Sequence, residues 1–149
     1  MLDSVQVKIV NNIIKELPDY VTEGSAGLDL RAAIDKKMKL HSKETILIPT
    51  GLSIFIENRD YAAALLPRSG LGHKKGIVLG NLVGLIDSDY QGELMISCWN
   101  RSKENYIIEP LDRIAQMIFI KVEHPKLEIV DEFRTSKRGG KGFGSSGKK

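Results

Sequence analysis

The sequence predicts an all-β domain, built as a sandwich or a barrel. The 149-residue chain consists of short apolar segments separated by turn residues at intervals of about 8–12 residues. No segment keeps apolar residues at helical spacing over several turns. A chain of this length can bury the core of one domain without disulfide bonds, and its single cysteine permits none within the chain. The predicted strands cover residues 5–10, 27–33, 44–49, 52–57, 61–66, 77–79, 82–86, 93–99, 106–109, 113–122 and 127–130.

Several of these segments carry specific expectations. The strands at 44–49 and 52–57 flank Thr50 and Gly51, a pair that predicts a hairpin turn. Residues 82–86 are apolar throughout, which predicts a buried strand. Residues 11–17 are predicted to form at most a short helix, because Pro18 limits it. Cys98 lies in an apolar run and is interpreted as a small core residue.

The carboxyl-terminal residues differ sharply in composition from the rest. Six of the 22 lysines and arginines lie in residues 134–149, where no acidic residue occurs. The rest of the chain therefore has 16 basic and 19 acidic residues. Residues 138–149 hold five of the 14 glycines and one large apolar residue, Phe143. Such a segment buries too little surface to order itself. We therefore expect a β domain at 1–133 and a flexible arm at 134–149, with nucleic-acid contact by the arm as the less favoured alternative.

Charge and hydropathy also limit the compartment and the partners. The body is mildly acidic, which argues against a broad nucleic-acid-binding face, so no stable nucleic-acid binding is expected. The amino-terminal residues lack a basic region followed by an apolar stretch, and no apolar run reaches membrane-spanning length. We expect a cytoplasmic protein that does not bind membranes.

Asp87 is the first candidate for chemistry. It directly follows the apolar run 82–86, and aspartate is seldom buried without a partner or a role. Gly84 and Gly92 suggest a tight hairpin whose backbone can approach a ligand closely. A carboxylate that activates water is the chemistry this placement favours. The plain alternative is that Asp87 only opens a turn.

A second candidate site follows the predicted strand at 61–66. Arg68 can bind phosphate oxygens in bidentate fashion, and Ser69 and the Gly70 amide can donate to others. The alternative is a serine-capped turn with an exposed arginine. Residues 73–76 are predicted to form a short polar loop after this motif.

Two polar residues interrupt strand-like runs. The plain interpretation of Asp29 is a buried Asp–Arg pair or a turn, and the functional one is a carboxylate near a metal-bound water. Gln116 either satisfies a backbone group or reaches a ligand. The three histidines are scattered, and no Cys/His spacing supports a zinc site.

These motifs, taken together and in this order, resemble the trimeric dUTP pyrophosphatases (dUTPases) of the bacterial type. The resemblance spans nearly the whole chain. It rests on five motifs, at residues 25–31 (SAGLDLR), 67–72 (PRSGLG), 84–92 (GLIDSDYQG), 113–117 (RIAQM) and 138–147 (RGGKGFGSSG).

The resemblance implies a jelly-roll or distorted β-barrel subunit of a homotrimer, with three active sites at the subunit interfaces. It implies hydrolysis of dUTP to dUMP and pyrophosphate, which limits uracil incorporation into DNA and supplies dUMP for thymidylate synthesis. Asp87 would deprotonate a water that attacks the α-phosphorus in line. Mg²⁺ would be held mainly by the triphosphate, with Asp29 reaching it through water.

The resemblance also assigns the substrate contacts. Arg68, Ser69 and Gly70 of the second motif would hold the phosphate chain, and Gln116 of the fourth motif would lie close to the substrate. From the fifth motif, Arg138, Ser145 and Ser146 would bind the γ end once the arm closes. The uracil would lie in a slot covered by Phe143 and lined by Asn81, Gly84, Leu85, Ile86, Asp87 and Met95. Tyr90 would lie under the sugar and select deoxyribose, and the arm would close over a neighbouring subunit's site.

Two competing interpretations differ from this one. A dCTP deaminase shares the fold, but deamination needs a glutamate at the base, whereas this chain has the Asp87 and Tyr90 pattern. A non-catalytic β-sandwich with a basic tail for nucleic acid explains the composition. It gives no reason for Asp87, Arg68 and Phe143 to occur together.

Overall fold

Ten strands and one short helix form the described part of this computed structural model, which comprises residues 1–134, 136, 139 and 140. The elements in chain order are β1 (Gln6–Ile9), β2 (Leu28–Arg31), β3 (Met38–Leu40), β4 (Thr45–Phe55), β5 (Tyr61–Leu66), α1 (Ser69–Lys75), β6 (Ile77–Leu79), β7 (Gly84–Ile86), β8 (Glu93–Asn100), β9 (Tyr106–Ile108) and β10 (Arg113–Lys121).

The strands form two four-stranded sheets and one two-stranded ribbon. Their orders are β1-β4-β8-β6, β2-β10-β5-β7 and β3-β9, and every strand pair is antiparallel. Strands adjacent in the chain repeatedly lie in different sheets, as in two-sheet jelly rolls. The predicted all-β jelly-roll class is confirmed.

The core lies between the two larger sheets. Along β8 the side chains alternate between buried and half-buried, so Leu94, Ile96 and Cys98 face inward. Leu30 and Met117 of the other sheet belong to the same buried cluster. Burial raises the pKa of the Cys98 thiol to about 12, so this group stays protonated and unreactive at neutral pH. The interpretation of Cys98 as a core residue is confirmed.

The hairpin predicted at Thr50 and Gly51 is wrong, because β4 continues through both residues as one strand. The Thr50 hydroxyl is buried and donates to the Leu94 carbonyl at 2.7 Å. The Gly51 amide donates to the Glu93 carboxylate at 2.8 Å, and its φ of +70° suits glycine. Strand β8 pairs with both halves of β4, with a register shift between Pro49 and Ser53. The glycine therefore marks a bulge.

Three further local predictions fail. Helix α1 occupies the predicted polar loop and ends at Gly76, which has a φ of +71°. Residues 11–17 form no helix, since the Asn11 side-chain oxygen accepts the amides of Ile13 at 3.0 Å and Ile14 at 3.3 Å. Strand β3 was not predicted, because its three residues include Lys39 and form no continuous apolar run like that of residues 77–79.

Residues 127–130 form no strand, contrary to the prediction. Leu127 and Ile129 alternate in the manner of a strand but are 91% and 100% exposed. An isolated strand without a hydrogen-bonded neighbour is not stable, so alternation alone did not suffice. Among the described residues, no helix is long and apolar enough to cross a membrane.

Candidate active site

Three adjacent strands bring the candidate phosphate-binding residues together. Gln116 on β10 pairs with Asp29 on β2 and with Leu66, the last residue of β5, on its other side. Arg68 follows β5 by two residues and immediately precedes α1. The antiparallel register thus gathers residues from three distant parts of the chain at one end of the sheet.

Asp29 links two arginines in this region. Its Oδ1 accepts from Arg68 Nε at 2.7 Å, and its Oδ2 accepts from Arg113 Nη1 at 3.0 Å. The Asp29 side chain is only 20% exposed, so these charge-assisted contacts are partly shielded from solvent. Arg68 Nη1 also donates to the Arg113 carbonyl at 3.4 Å. Of the two interpretations of Asp29, the Asp–Arg pair is the contact present.

Gln116 is held by its surroundings. Its Nε2 donates to the Pro67 carbonyl at 2.9 Å, so it does satisfy a backbone group. A Cβ at Gly27 would lie 3.2 Å from Gln116 Oε1, closer than most real contacts. Because glycine has no Cβ, position 27 leaves room for the Gln116 amide.

These residues line one polar cleft. It has a volume of about 320 Å³ and is lined by Val21, Ser25, Ala26, Gly27, Asp29, Arg68, Ser69, Gly70, Arg113 and Gln116. Its two arginines exceed its one carboxylate, which favours anions. Ser69 and Gly70 are exposed at the start of α1. Arg113 was not assigned a role from the sequence, although it opens the fourth motif.

Asp87 lies elsewhere, after β7 at the far edge of the same sheet. The tight hairpin predicted around it is wrong, since β7 pairs with β5 whereas β8 pairs with β4 and β6 in the other sheet. Residues 87–92 therefore cross between sheets. The expected burial of residues 82–86 is also wrong in the single chain, because Leu82 and Leu85 are 68% and 63% exposed.

The side chain of Asp87 lines a second and separate cavity of about 690 Å³. The other lining residues are Glu57, Arg59, Tyr61, Ala62, Leu85, Ser88, Asp89, Val122 and His124. The β7–β5 register, continued by one residue beyond Ile86, places Asp87 opposite Ala62. Ala62 lies four residues before Leu66 on β5. That offset and the strand spacing put Asp87 roughly 15–20 Å from Asp29 and Gln116. One chain does not bring the predicted base to the predicted phosphate site.

The remaining predicted residues lie near β7 or outside the described part. Asn81 belongs to the turn between β6 and β7, and Met95 lies on β8, in the sheet that contains β6. The Tyr90 hydroxyl donates to the Glu93 carbonyl at 2.9 Å, and its ring lies where a Cβ at Gly92 would be. The assignments not covered by the described residues are Arg138, Phe143, Ser145 and Ser146.

Known proteins match this chain over nearly its whole length. The family model described as dUTPase matches residues 14–147. The deoxyuridine 5'-triphosphate nucleotidohydrolase of Buchnera aphidicola subsp. Schizaphis graminum is 59% identical, covering 97% of this chain and 94% of its own. That of Legionella pneumophila (strain Paris) is 58% identical, covering 97% of both chains.

A solved structure shows the same architecture. The Staphylococcus bacteriophage 80alpha dUTPase with dUPNHPP superposes with a TM-score of 0.86 at 29% identity, covering 97% of this chain and 99% of that one. The family match, the identities and the shared fold agree with the five motifs. This chain belongs to the dUTPase family.

Proposed function

We propose that this protein hydrolyses dUTP to dUMP and pyrophosphate. The observation that carries the proposal is the convergence of Arg68, Ser69, Gly70 and Gln116 on one polar cleft in a chain of this family. Such a reaction limits uracil incorporation into DNA and supplies dUMP for thymidylate synthesis. The cytoplasm, where a bacterial nucleotide pool is used for DNA synthesis, is the compartment we propose.

The cleft is suited to a phosphate chain. Asp29 fixes the orientation of Arg68 through Nε, and a guanidinium carries five N–H donors, so this contact leaves donor capacity for phosphate oxygens. The Ser69 hydroxyl, the Gly70 amide and the Gln116 amide add uncharged partners. Because the arginines are already oriented, little side-chain entropy is lost when the anion binds.

Asp87 is the proposed general base. Its exposed carboxylate can accept a proton from the attacking water, and the contact from the Tyr90 amide to the Asp87 carbonyl at 3.2 Å fixes its turn. Water attacks the α-phosphorus, pyrophosphate departs, and Asp87 takes the proton. General bases of this kind contribute about 10²–10⁴-fold to the rate.

The separation between the two regions supports a homotrimer with active sites at its interfaces. Asp87 and the phosphate cleft are too far apart within one chain to act on a single α-phosphate. In a ring of copies, the cleft of one chain can face Asp87 of the next. We propose that the active site is completed in this way, with the arm at 134–149 closing over it.

Magnesium is the proposed cofactor, and the residues present fit an indirect role for it. Among the described residues, no group of three or more His, Cys, Asp or Glu side chains could hold a metal ion. Asp29 is a lone carboxylate whose oxygens are both bound to arginines. Each of these oxygens has a further lone pair, which could accept a hydrogen bond from metal-bound water while the triphosphate holds the ion. Bound Mg²⁺ would neutralise charge on the phosphates.

Base selection is proposed to rest on the segment from Asn81 to Asp87 with Met95. Backbone groups there can match the donor and acceptor pattern of uracil and leave no room for the methyl group of thymine. Cytosine would leave some of these buried groups without a hydrogen-bond partner. Mismatches of the last kind are rejected by about 10⁴-fold or more. Tyr90 would exclude the 2'-hydroxyl, and Phe143 of the arm would cover the base.

A nucleotide panel tests this function. With Mg²⁺ present, pyrophosphate release is expected from dUTP and at least 10³-fold less from dTTP, dCTP and UTP. Ammonia release from dCTP would support the deaminase instead. Salt-sensitive DNA binding without turnover of dUTP would support the binding module.

A further inference from the structure

Two unusual turns hold the segment that carries Asp87. The Val83 amide donates to the Asn81 carbonyl at 2.7 Å, and Leu82 between them has a φ of +65°. The Asn58 amide donates to the Ile56 carbonyl at 2.7 Å, and Glu57 between them also has a φ of +65°. A three-residue turn with positive φ at its centre is the rare, strained form of the γ-turn.

Each turn touches one end of that segment. The first ends directly before Gly84, where β7 begins. In the second, the Glu57 amide donates to the Ser88 carbonyl at 2.9 Å, one residue beyond Asp87. Strand β7 is short, and its ladder with β5 covers only residues 84–86. The Glu57 contact therefore extends the support of this segment past the end of the ladder.

Side-chain packing within one chain does not explain either conformation. Leu82 is 68% exposed, and Glu57 is exposed as well. A leucine or glutamate with positive φ costs free energy that a glycine would not, and such strain gathers at functional sites. What these positions do provide is a fixed direction for the main-chain groups beside Asp87 and Gly84.

We propose that Leu82 and Glu57 are positioning residues, whose γ-turns fix the base slot and the Asp87 carboxylate respectively. The Glu57 turn sets where Asp87 points, so it acts on the chemical step. The Leu82 turn sets the backbone from Asn81 to Gly84, so it acts on base binding. This inference rests on the proposed function for its kinetic consequences.

A pair of substitutions separates the Glu57 backbone from its carboxylate. Glu57→Gly and Glu57→Val both remove the carboxylate, but glycine adopts positive φ without strain, whereas β-branched valine does not. We expect Glu57→Gly to keep kcat within about twofold of wild type, and Glu57→Val to lower kcat about tenfold or more with KM unchanged. Glu57→Asn, which tolerates positive φ, should behave like the glycine variant.

Lys43 supplies the matched control. It has a φ of +66° but lies in the turn between β3 and β4, outside both cavities. Lys43→Val should lower the melting temperature as Glu57→Val does while leaving kcat unchanged. A similar loss of kcat in both variants would show that general destabilisation is the cause, and would overturn the proposal.

The Leu82 pair should show the opposite kinetic pattern. Leu82→Val is expected to raise KM for dUTP about tenfold and to reduce discrimination against dCTP, with kcat less affected. Leu82→Gly should retain the wild-type KM for dUTP and the wild-type discrimination against dCTP. Equal effects of Gly and Val at either position, or none at all, would contradict a role for the turn.

Hydrogen–deuterium exchange gives a readout independent of activity. Peptides covering residues 84–92 should exchange faster in Glu57→Val than in Glu57→Gly, because the valine variant loses the Ser88 contact. If wild type failed to hydrolyse dUTP, the proposed function would fail, and this comparison would still decide the inference. Unchanged exchange in Glu57→Val would overturn it.

Discussion

The phosphate cleft and the Asp87 segment lie on one sheet but are built differently. In the cleft, side chains hold one another, with Asp29 bound to Arg68 and Arg113 at 2.7 and 3.0 Å. Around Asp87 the contacts are main-chain ones, and apolar side chains such as Leu85 are exposed. The cleft is complete within one chain, whereas the Asp87 segment presents an uncovered surface.

The contrast between paired polar side chains and an exposed apolar edge indicates how the active site forms. A polar cluster whose charges are already paired needs little reorganisation when an anion enters. An exposed apolar edge next to an exposed carboxylate is instead typical of a surface that a partner covers. We therefore interpret the cleft as the preorganised half of the active site and the Asp87 segment as the half completed by assembly.

The largest expected effect comes from removing the base. Asp87→Asn should lower kcat about 10³-fold or more while leaving binding of dUPNHPP nearly unchanged, because the amide keeps its shape but accepts no proton. Single-turnover kinetics and calorimetry measure the two. Asp89→Asn, in the same cavity, is the control and should stay near wild type. Near-normal turnover of Asp87→Asn would refute the assignment.

Removal of the arm should give the next largest effect. A chain that stops before Arg138 is expected to fold normally and to lose about 10²-fold in kcat, because water enters the site and the γ-phosphate loses its contacts. The melting temperature and steady-state kinetics test both statements. An unchanged kcat would show that the arm is passive.

A substitution at Arg68 tests the preorganised half. Arg68→Lys keeps the charge but loses the Nε–H that donates to Asp29 and the planar guanidinium available for phosphate oxygens, so KM for dUTP should rise about tenfold. Arg31→Lys is the matched control, since Arg31 donates to the Leu111 carbonyl and does not line the cleft. Equal effects at both positions would indicate a general effect of replacing a guanidinium and would argue against a specific role for Arg68 in the cleft.

The smallest effect concerns the space beside Gln116. Gly27→Ala puts a Cβ 3.2 Å from Gln116 Oε1 and should raise KM only about two- to fivefold by moving the amide. Gly24→Ala, where nothing lies within 4 Å, should change nothing. A Gly27→Ala enzyme with wild-type KM would argue against substrate contact by Gln116.

The sequence predicted the strands of the core well. Strands β5 and β6 have the predicted bounds, because continuous apolar runs between turn residues leave few alternatives. It failed at Gly51, where a glycine that resembles a turn is a bulge inside β4. It also failed at residues 127–130, whose alternation has no partner strand among the residues that the structure describes.

For the site, the sequence suggested candidate residues but not their arrangement. Asp29, Arg68 and Gln116 meet only because β2, β10 and β5 are neighbours, and strand order cannot be read from local patterns. The role of Arg113 depends on the same pairing. Glu57 carries no sequence signal, since a glutamate with positive φ is visible only in the backbone geometry.

We propose that Asp87 and the phosphate cleft of one active site come from different chains. The test is to mix and co-refold two variants, Asp87→Asn and Arg68→Ala, each of which should be nearly inactive alone. If the copies assemble at random, about a quarter of the sites should contain both native residues, and dUTP hydrolysis should recover to that extent. Activity no higher than that of the two separate variants would contradict the account.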